Sequence, residues 1–295
     1  MDKIRLLELF GGIGACTKAF ERLGIDFEVA DYVEIDKYAV KSYNAIHGTN
    51  FEPQDVTQWD KDIEVDFIMH GSPCQDFSLA GKQGGGDEGS GTRSSLMYET
   101  VRIVAKLNPK WVLWENVKNV ISPKHVHNFE KYLRKMESLG YWSYWQVLNA
   151  KDYGIPQNRE RVFVLSVRTD VNRGFSFPDK KELTLRLKDM LEYNVDEKYF
   201  LTEKMLKFVL SSGTKNFYYK PEIDCEIAKP LTATLHKMHR AGEDNYVTVK
   251  NATKEGYEVA VEGDSVNLLY PDSDTRRGRV GHSVSQTIQC GGVLE

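Results

Sequence analysis

Ile4-Arg5-Leu6-Leu7-Glu8-Leu9-Phe10, running into Gly11-Gly12-Ile13-Gly14-Ala15, is the stretch that decides the fold. Its apolar first half reads as a buried strand, and the glycines break that strand before an amphipathic pattern through Leu23 predicts a helix. The same alternation continues along the chain. Phe27 to Val33 reads as a strand, Asp36 to His47 as a helix and Asp66 to His70 as a strand. A Gly-rich loop from Gln75 to Arg93 follows, then a helix over Ser94–Leu107, a strand over Trp111–Trp114 and a helix over Asn128–Leu139. Two late strands, Trp142–Leu148 and Arg161–Val167, form a hairpin-like return. Strands alternating with helices predict an α/β fold with a doubly wound, mostly parallel sheet, Rossmann-like in its winding.

Composition shifts near Asn172, after which the chain is richer in Lys, Tyr and Thr with weak periodicity. The expected organisation is a catalytic domain over 1–172, a second, smaller irregular domain over 173–270 and a return segment over 271–295. The hydrophobic fraction of 41% and charged fraction of 28% are those of an ordinary globular chain. A net charge of −4 gives no global argument for nucleic-acid binding, so such a surface has to be a local patch. Cys16, Cys74, Cys225 and Cys290 show no CxxC spacing, which argues against a disulfide framework and for a reducing, cytoplasmic compartment. The N-terminus runs directly into a strand without a signal peptide, and no apolar run approaches the roughly 20 residues of a membrane span. No metal is expected: His236 and His239 form an H-x-x-H pair without a cysteine at ligand spacing.

Glycine at the strand–helix junction allows a tight turn and lets a ligand approach the backbone. Glu34, at the end of the second strand, is placed to accept hydrogen bonds from ribose hydroxyls. A nicotinamide dinucleotide and S-adenosylmethionine both satisfy that geometry. The dinucleotide fingerprint needs a third glycine where Thr17 stands, so that match is poor. Asp55 and Val56, past the second helix, suit an adenine: a carboxylate for the exocyclic amine and an aliphatic wall.

Gly71-Ser72-Pro73-Cys74-Gln75-Asp76-Phe77-Ser78 puts a cysteine on a turn stiffened by proline at a strand end, where a thiol can act as a nucleophile. Glu115-Asn116-Val117 follows the Trp111–Trp114 strand, which sets Glu115 at a carboxyl end of the sheet. Gln157-Asn158-Arg159-Glu160-Arg161 precedes the Val162–Val167 strand, and alternation predicts Arg159 and Arg161 on one face. Six glycines in the Gln75–Arg93 loop suit a lid. Arg276-Arg277-Gly278-Arg279 is a compact basic cluster.

Taken in order, LFGGIGA, Glu34, Asp55, GSPCQDFS, GKQ with its Gly-rich loop, ENV and IPQNRERVF resemble the cytosine-C5 DNA methyltransferase family over residues 4–168. The resemblance implies S-adenosyl-L-methionine as cofactor and double-stranded DNA as partner. Phe10, Gly12, Ile13, Gly14, Glu34, Ile35, Asp55, Val56 and Pro73 would form the cofactor site, with Glu34 on the ribose and Asp55 on the adenine. Cys74 would be the nucleophile and Glu115 the acid that engages the target base, with Arg161, and Arg159 beside it, holding that base near Cys74. Gln75, Ser78, Lys82, Arg93, Arg277 and Arg279 would contact nucleic acid, and 173–270 would be the target-recognition domain. It further implies a covalent Cys74–C6 adduct on a flipped-out base, in a prokaryotic or phage-encoded protein.

The family ordinarily carries a further segment with an Arg-Leu-Thr-Pro-Arg-Glu-like run, which this sequence does not show. The expectation is therefore a longer chain, or a second polypeptide, completing the cofactor pocket. Two other readings stay open: a tRNA cytosine-C5 methyltransferase, and a catalytically inactive nucleic-acid-binding scaffold.

Overall fold

The computed structural model describes residues 3–77, 85–171, 174–192, 201–211, 213–214, 217–218, 221–231, 242, 244–248, 265–266 and 280–281. The chain divides into two compact units: Met1–Asn149 with Glu160–Asp179, and Ala150–Arg159 with Lys180–Glu295.

A six-stranded sheet forms the first unit: β1 (Ile4–Leu9), β2 (Phe27–Val33), β3 (Phe67–His70), β4 (Trp111–Val117), β5 (Tyr141–Asn149) and β6 (Glu160–Arg168). Their spatial order is β2-β1-β3-β4-β6-β5. The first four are mutually parallel, β6 runs antiparallel to β4, and β5 antiparallel to β6. That is the mostly parallel, doubly wound sheet the sequence predicts, closed by the expected hairpin-like return.

Helices α1 (Ala15–Leu23), α2 (Lys37–His47), α3 (Met97–Leu107) and α4 (Val126–Ser138) make the crossovers. Both faces of the sheet are covered, so the central strands are apolar almost throughout. Leu7, Leu9, Ile68, Val112 and Trp114 pack on one side with Ile103 and Val104 of α3 and Phe129, Tyr132 and Met136 of α4. Leu6 packs on the other with Cys16 and Phe20 of α1. Asp36 caps α2 by accepting from Tyr38 N at 2.7 Å and Ala39 N at 3.1 Å.

Two boundaries differ from the sequence reading. A 3₁₀ turn over Arg93–Leu96 precedes α3, which takes up regular helix only at Met97. More consequentially, β4 does not stop at Trp114 but runs through Glu115 and Asn116 to Val117, because β6 continues to pair with it. In the second unit α5 (Glu203–Leu210) is capped by Thr202, whose hydroxyl accepts from Met205 N. Elsewhere among its described residues are two short antiparallel pairs, Gly213–Thr214 with Phe217–Tyr218 and Ser265–Val266 with Val280–Gly281, and single bridges such as Gln157 to Ala228 and Ile223 to Tyr246. Among the described residues no helix is long and apolar enough to cross a membrane.

Candidate active site

Three motifs meet along the carboxyl edge of the sheet. Leu9, His70 and Trp114 lie in register on β1, β3 and β4. With neighbouring parallel strands about 4.8 Å apart, the next residues, Phe10, Gly71 and Glu115, form a short row. Gly71 N donates to Leu9 O at 3.4 Å. A Cβ at Gly71 would lie 3.8 Å from Glu115 Oε2 and 4.0 Å from Phe10 O. The glycine thus leaves the row open between acid and Gly-rich turn.

β3 ends at His70 while β4 continues, and this mismatch in length builds the nucleophile's support. The edge of β4 freed on that side faces the Gly71–Cys74 turn. Trp114 Nε1 donates to Ser72 Oγ at 3.0 Å, and Asn116 Nδ2 donates to Ser72 O at 3.1 Å. Ser72 is buried and Cys74, two residues on, is half-buried. Phe77 N donates to Cys74 O at 3.0 Å and closes the following turn. Asp76 and Ser94 then bond reciprocally: Asp76 N donates to Ser94 Oγ at 3.1 Å, and Ser94 N to Asp76 Oδ2 at 3.2 Å.

The other two described cysteines differ in setting. Burial, then the charge of Glu8, pushes the Cys16 thiol far up. Burial and the neighbouring Glu222 also raise Cys225. Cys290 lies outside the described residues.

Glu115 and Arg161 form an ion pair, Nε to Oε1 at 2.9 Å, with each side chain mostly buried. Arg159 precedes β6 and belongs to the other unit, so strand alternation does not extend to it. Gln75 and Arg93 are brought together, Arg93 Nη1 donating to Gln75 Oε1 at 2.8 Å, with both residues exposed. Ser78, Lys82, Arg277 and Arg279 lie outside the described residues, as do loop positions 78–84.

On the cofactor side the backbone is unusual. Phe10 has φ +54°, a left-handed conformation that a bulky residue adopts only under constraint. Gly12 follows at φ +55°, and a Cβ there would meet no atom of the other described residues within 4 Å. Gly14, at φ +84°, is different: a Cβ there would run into His47 Nε2 and the Tyr43 ring. Glu34 accepts from Gly12 N at 3.1 Å and from Asp36 N at 2.9 Å, holding the turn against the end of β2.

Ile13 and Ile35 are exposed beside this opening, Asp55 is exposed, and Pro73 is half-buried. Asp55 Oδ1 receives Thr57 N and Thr57 Oγ1. Val56, expected to wall an adenine, instead packs in the core. Beneath the turn Glu8 is buried and accepts from Thr17 N at 3.1 Å. Burial pushes its carboxyl up, and hydrogen bonds from Thr17 oppose the shift.

Sequence reasoning missed Ser72, Trp114, Asn116 and Tyr32, whose hydroxyl donates to Gly12 O. Asn116, beside Glu115 in the ENV run, and Ser72, in the turn before Cys74, stood in motifs; Trp114 and Tyr32 read only as strand residues.

A mostly parallel sheet whose carboxyl edge carries a Gly-rich turn, with an acidic residue just past the second strand, is a Rossmann-like methyltransferase fold. A solved structure of a Spodoptera frugiperda DNMT2 mutant shares it, with a TM-score of 0.68 at 24% identity, covering 86% of this chain and 76% of that one. The chain belongs to the C-5 cytosine-specific DNA methylase family, whose model matches residues 4–282.

Type II methyltransferase M2.ScrFI of Lactococcus lactis subsp. cremoris is 51% identical over 138 residues, 47% of this chain and 38% of the relative. Type II methyltransferase M.Bsp6I of Bacillus sp. (strain RFL6) is 35% identical over 287 residues, 91% of this chain and 88% of the relative. The chain thus spans under two thirds of the length of several relatives it matches, including the Lactococcus one. None of these matches supports a second polypeptide.

Proposed function

We propose that this protein transfers a methyl group from S-adenosyl-L-methionine to C5 of cytosine in double-stranded DNA, with Cys74 as the covalent nucleophile. The observation that carries the reading is the row at the sheet edge. Gly71, three residues before Cys74, stands between Glu115 and the Phe10 backbone.

The residues present fit a nucleoside cofactor: an open approach at Gly12, a carboxylate at Glu34, a second at Asp55, and apolar Ile13 and Ile35 exposed nearby. Bound there, S-adenosylmethionine supplies an electrophilic methyl group. Cytosine C5 is a poor nucleophile, and thiolate addition from Cys74 to C6 would turn the ring into an enamine-like species with electron density on C5.

Glu115 would engage N3 as charge builds on the ring, and Arg161, paired with that carboxyl, would hold the base. After transfer, water takes the C5 proton, the C6–S bond breaks, and Cys74 leaves as a thiolate while the aromatic ring is restored. The target atoms are stacked inside a duplex, so the base has to be flipped out at a cost of about a few kcal/mol.

Residues 173–270 would serve as the target-recognition region, and Gln75, Ser78, Lys82, Arg93, Arg277 and Arg279 would contact the nucleic acid; of these, Gln75 and Arg93 are exposed and hydrogen-bonded to each other. Relatives named type II methyltransferases favour a DNA substrate and a restriction-modification setting. Bacterial and phage relatives favour the cytoplasm.

The test is a duplex carrying 5-fluorocytosine, whose C5 substituent cannot leave. Wild type should be trapped as a covalent adduct and Cys74→Ser should not. Trapping by the serine variant, or none by wild type, would overturn the nucleophile assignment. The same assay on tRNA separates the two substrates, and an inactive scaffold would trap neither.

A further inference from the structure

Asp31 is a charged side chain only 4% exposed. A bulge turns it inward. Along β1 and β2, Leu6 faces Val29 but Leu7 faces Asp31, so Ala30 is an extra residue and re-aims the side chains that follow.

The Asp31 carboxylate collects four donors. Oδ1 accepts from Tyr32 N and from Gln54 Nε2, each at 3.0 Å. Oδ2 accepts from Trp59 Nε1 and Lys61 Nζ, each at 2.7 Å. Three of these donors come from one stretch, residues 54–61, and that stretch carries Asp55.

Further contacts grip the same stretch. Gln54 N donates to Glu34 O at 2.8 Å, and Gln54 Nε2 to Tyr32 O at 2.7 Å, tying it to the end of β2. From α3, Arg102 Nη2 donates to Val56 O and Trp59 O, both at 3.0 Å. A buried carboxylate is unfavourable unless it is fully hydrogen-bonded, and an apolar residue would pack the sheet at less cost. What Asp31 adds beyond packing is a fixed seat for the segment after α2.

We propose that Asp31 is a positioning residue of the cofactor site. It sets the separation of Glu34 and Asp55, and with it the affinity for the nucleoside half of the cofactor. This rests on the cofactor reading above, in which Glu34 takes the ribose and Asp55 the adenine. Asp31 itself touches no ligand. A ligand held at two points binds well only where both points already stand at its span, which is preorganisation.

The test is a double-mutant cycle on the full chain, with S-adenosylmethionine affinity measured by calorimetry. Asp31→Asn keeps the shape but presents an amide where acceptors are needed. It should raise Kd about tenfold in the wild-type background and less than about twofold in the Asp55→Ala background. Equal factors in both backgrounds would mean general loosening and would overturn the proposal, as would an unchanged Kd.

If Asp31→Asn does not fold, Trp59→Phe serves. It keeps the buried ring, removes the N–H, and should show the same background dependence at about threefold. Equal factors there would overturn the proposal too. Asp55→Ala alone should weaken binding. Should it not, the cofactor reading itself fails, and the inference with it.

Discussion

Arg161 reaches Glu115 diagonally: in the β4–β6 ladder Glu115 faces Phe163 and Arg161 faces Val117, yet Nε and Oε1 stand 2.9 Å apart. Residues two apart on neighbouring strands share a face, and a long side chain spans the diagonal. The acid at this carboxyl end of the sheet is therefore paired with a cation. It is held by the residue expected to hold the base.

Glu115→Gln keeps the shape and removes the carboxyl. Single-turnover methyl transfer should fall about 10²- to 10⁴-fold, the range for losing a positioned acid or base. Cofactor affinity should stay within about twofold. Arg161→Lys keeps the charge but loses the planar fork, and should recover only part of the loss in Arg161→Ala. Full transfer rates in Glu115→Gln would remove Glu115 from the chemistry.

Glu34 accepts from the Gly12 and Asp36 amides in this structure, and under the proposed function it takes the ribose hydroxyls as well. Each carboxylate oxygen carries two lone pairs, so capacity for ribose hydroxyls remains. Glu34→Ala should weaken S-adenosylmethionine binding by about 1–3 kcal/mol, the range for charge-assisted hydrogen bonds. Calorimetry decides it, and wild-type affinity would refute the role.

Much of the sheet was legible because its periods are strong. β2, as Phe27–Val33, agrees residue for residue, and α2 and β3 agree to within one. Less legible was anything set by a neighbour. Nothing in Trp114-Glu115-Asn116-Val117 says that β6 extends the strand beyond the end of β3, so the seat of Ser72 on Trp114 and Asn116 was invisible. The extra residue at Ala30 was equally hidden, since only the register with Leu6 and Leu7 reveals it. The burial of Val56 was hidden as well: beside Asp55 it read as a ligand wall, and the turn that exposes Asp55 packs its side chain into the core.

Gly12 and Gly14 should separate binding from stability. Gly12→Ala adds a methyl group into space open among the described residues, at φ +55°. Its stability cost should be only the left-handed penalty, about 1–2 kcal/mol, while cofactor binding drops sharply. Gly14→Ala at φ +84° drives a methyl group to within 2.6 Å of Tyr43 as well as onto His47, so it should destabilise more. Chemical denaturation and calorimetry on both variants check the pair. Equal stability losses would refute the distinction.

His70 gives the pH prediction. It is fully buried at the end of β3, its Nε2 lies 3.0 Å from Tyr132 Oη, and its Nδ1 has no partner among the described residues. Burial lowers its pKa from 6.5 to about 3. The unfolded chain therefore takes up a proton between those values that the folded chain does not. Stability from the neutral ring is present above pH 6.5 and is lost as pH falls towards 3. The slope is one proton, so this group alone should remove about 2 kcal/mol between pH 7 and pH 5. His125, also pushed down by burial, contributes with the same sign. Comparison with His70→Gln isolates His70, because the amide does not titrate. The difference in unfolding free energy, wild type minus variant, should shrink by about 2 kcal/mol over that interval. A difference that stays constant from pH 7 to pH 5 would mean that His70 is protonated within the fold or never loses its proton preference on folding.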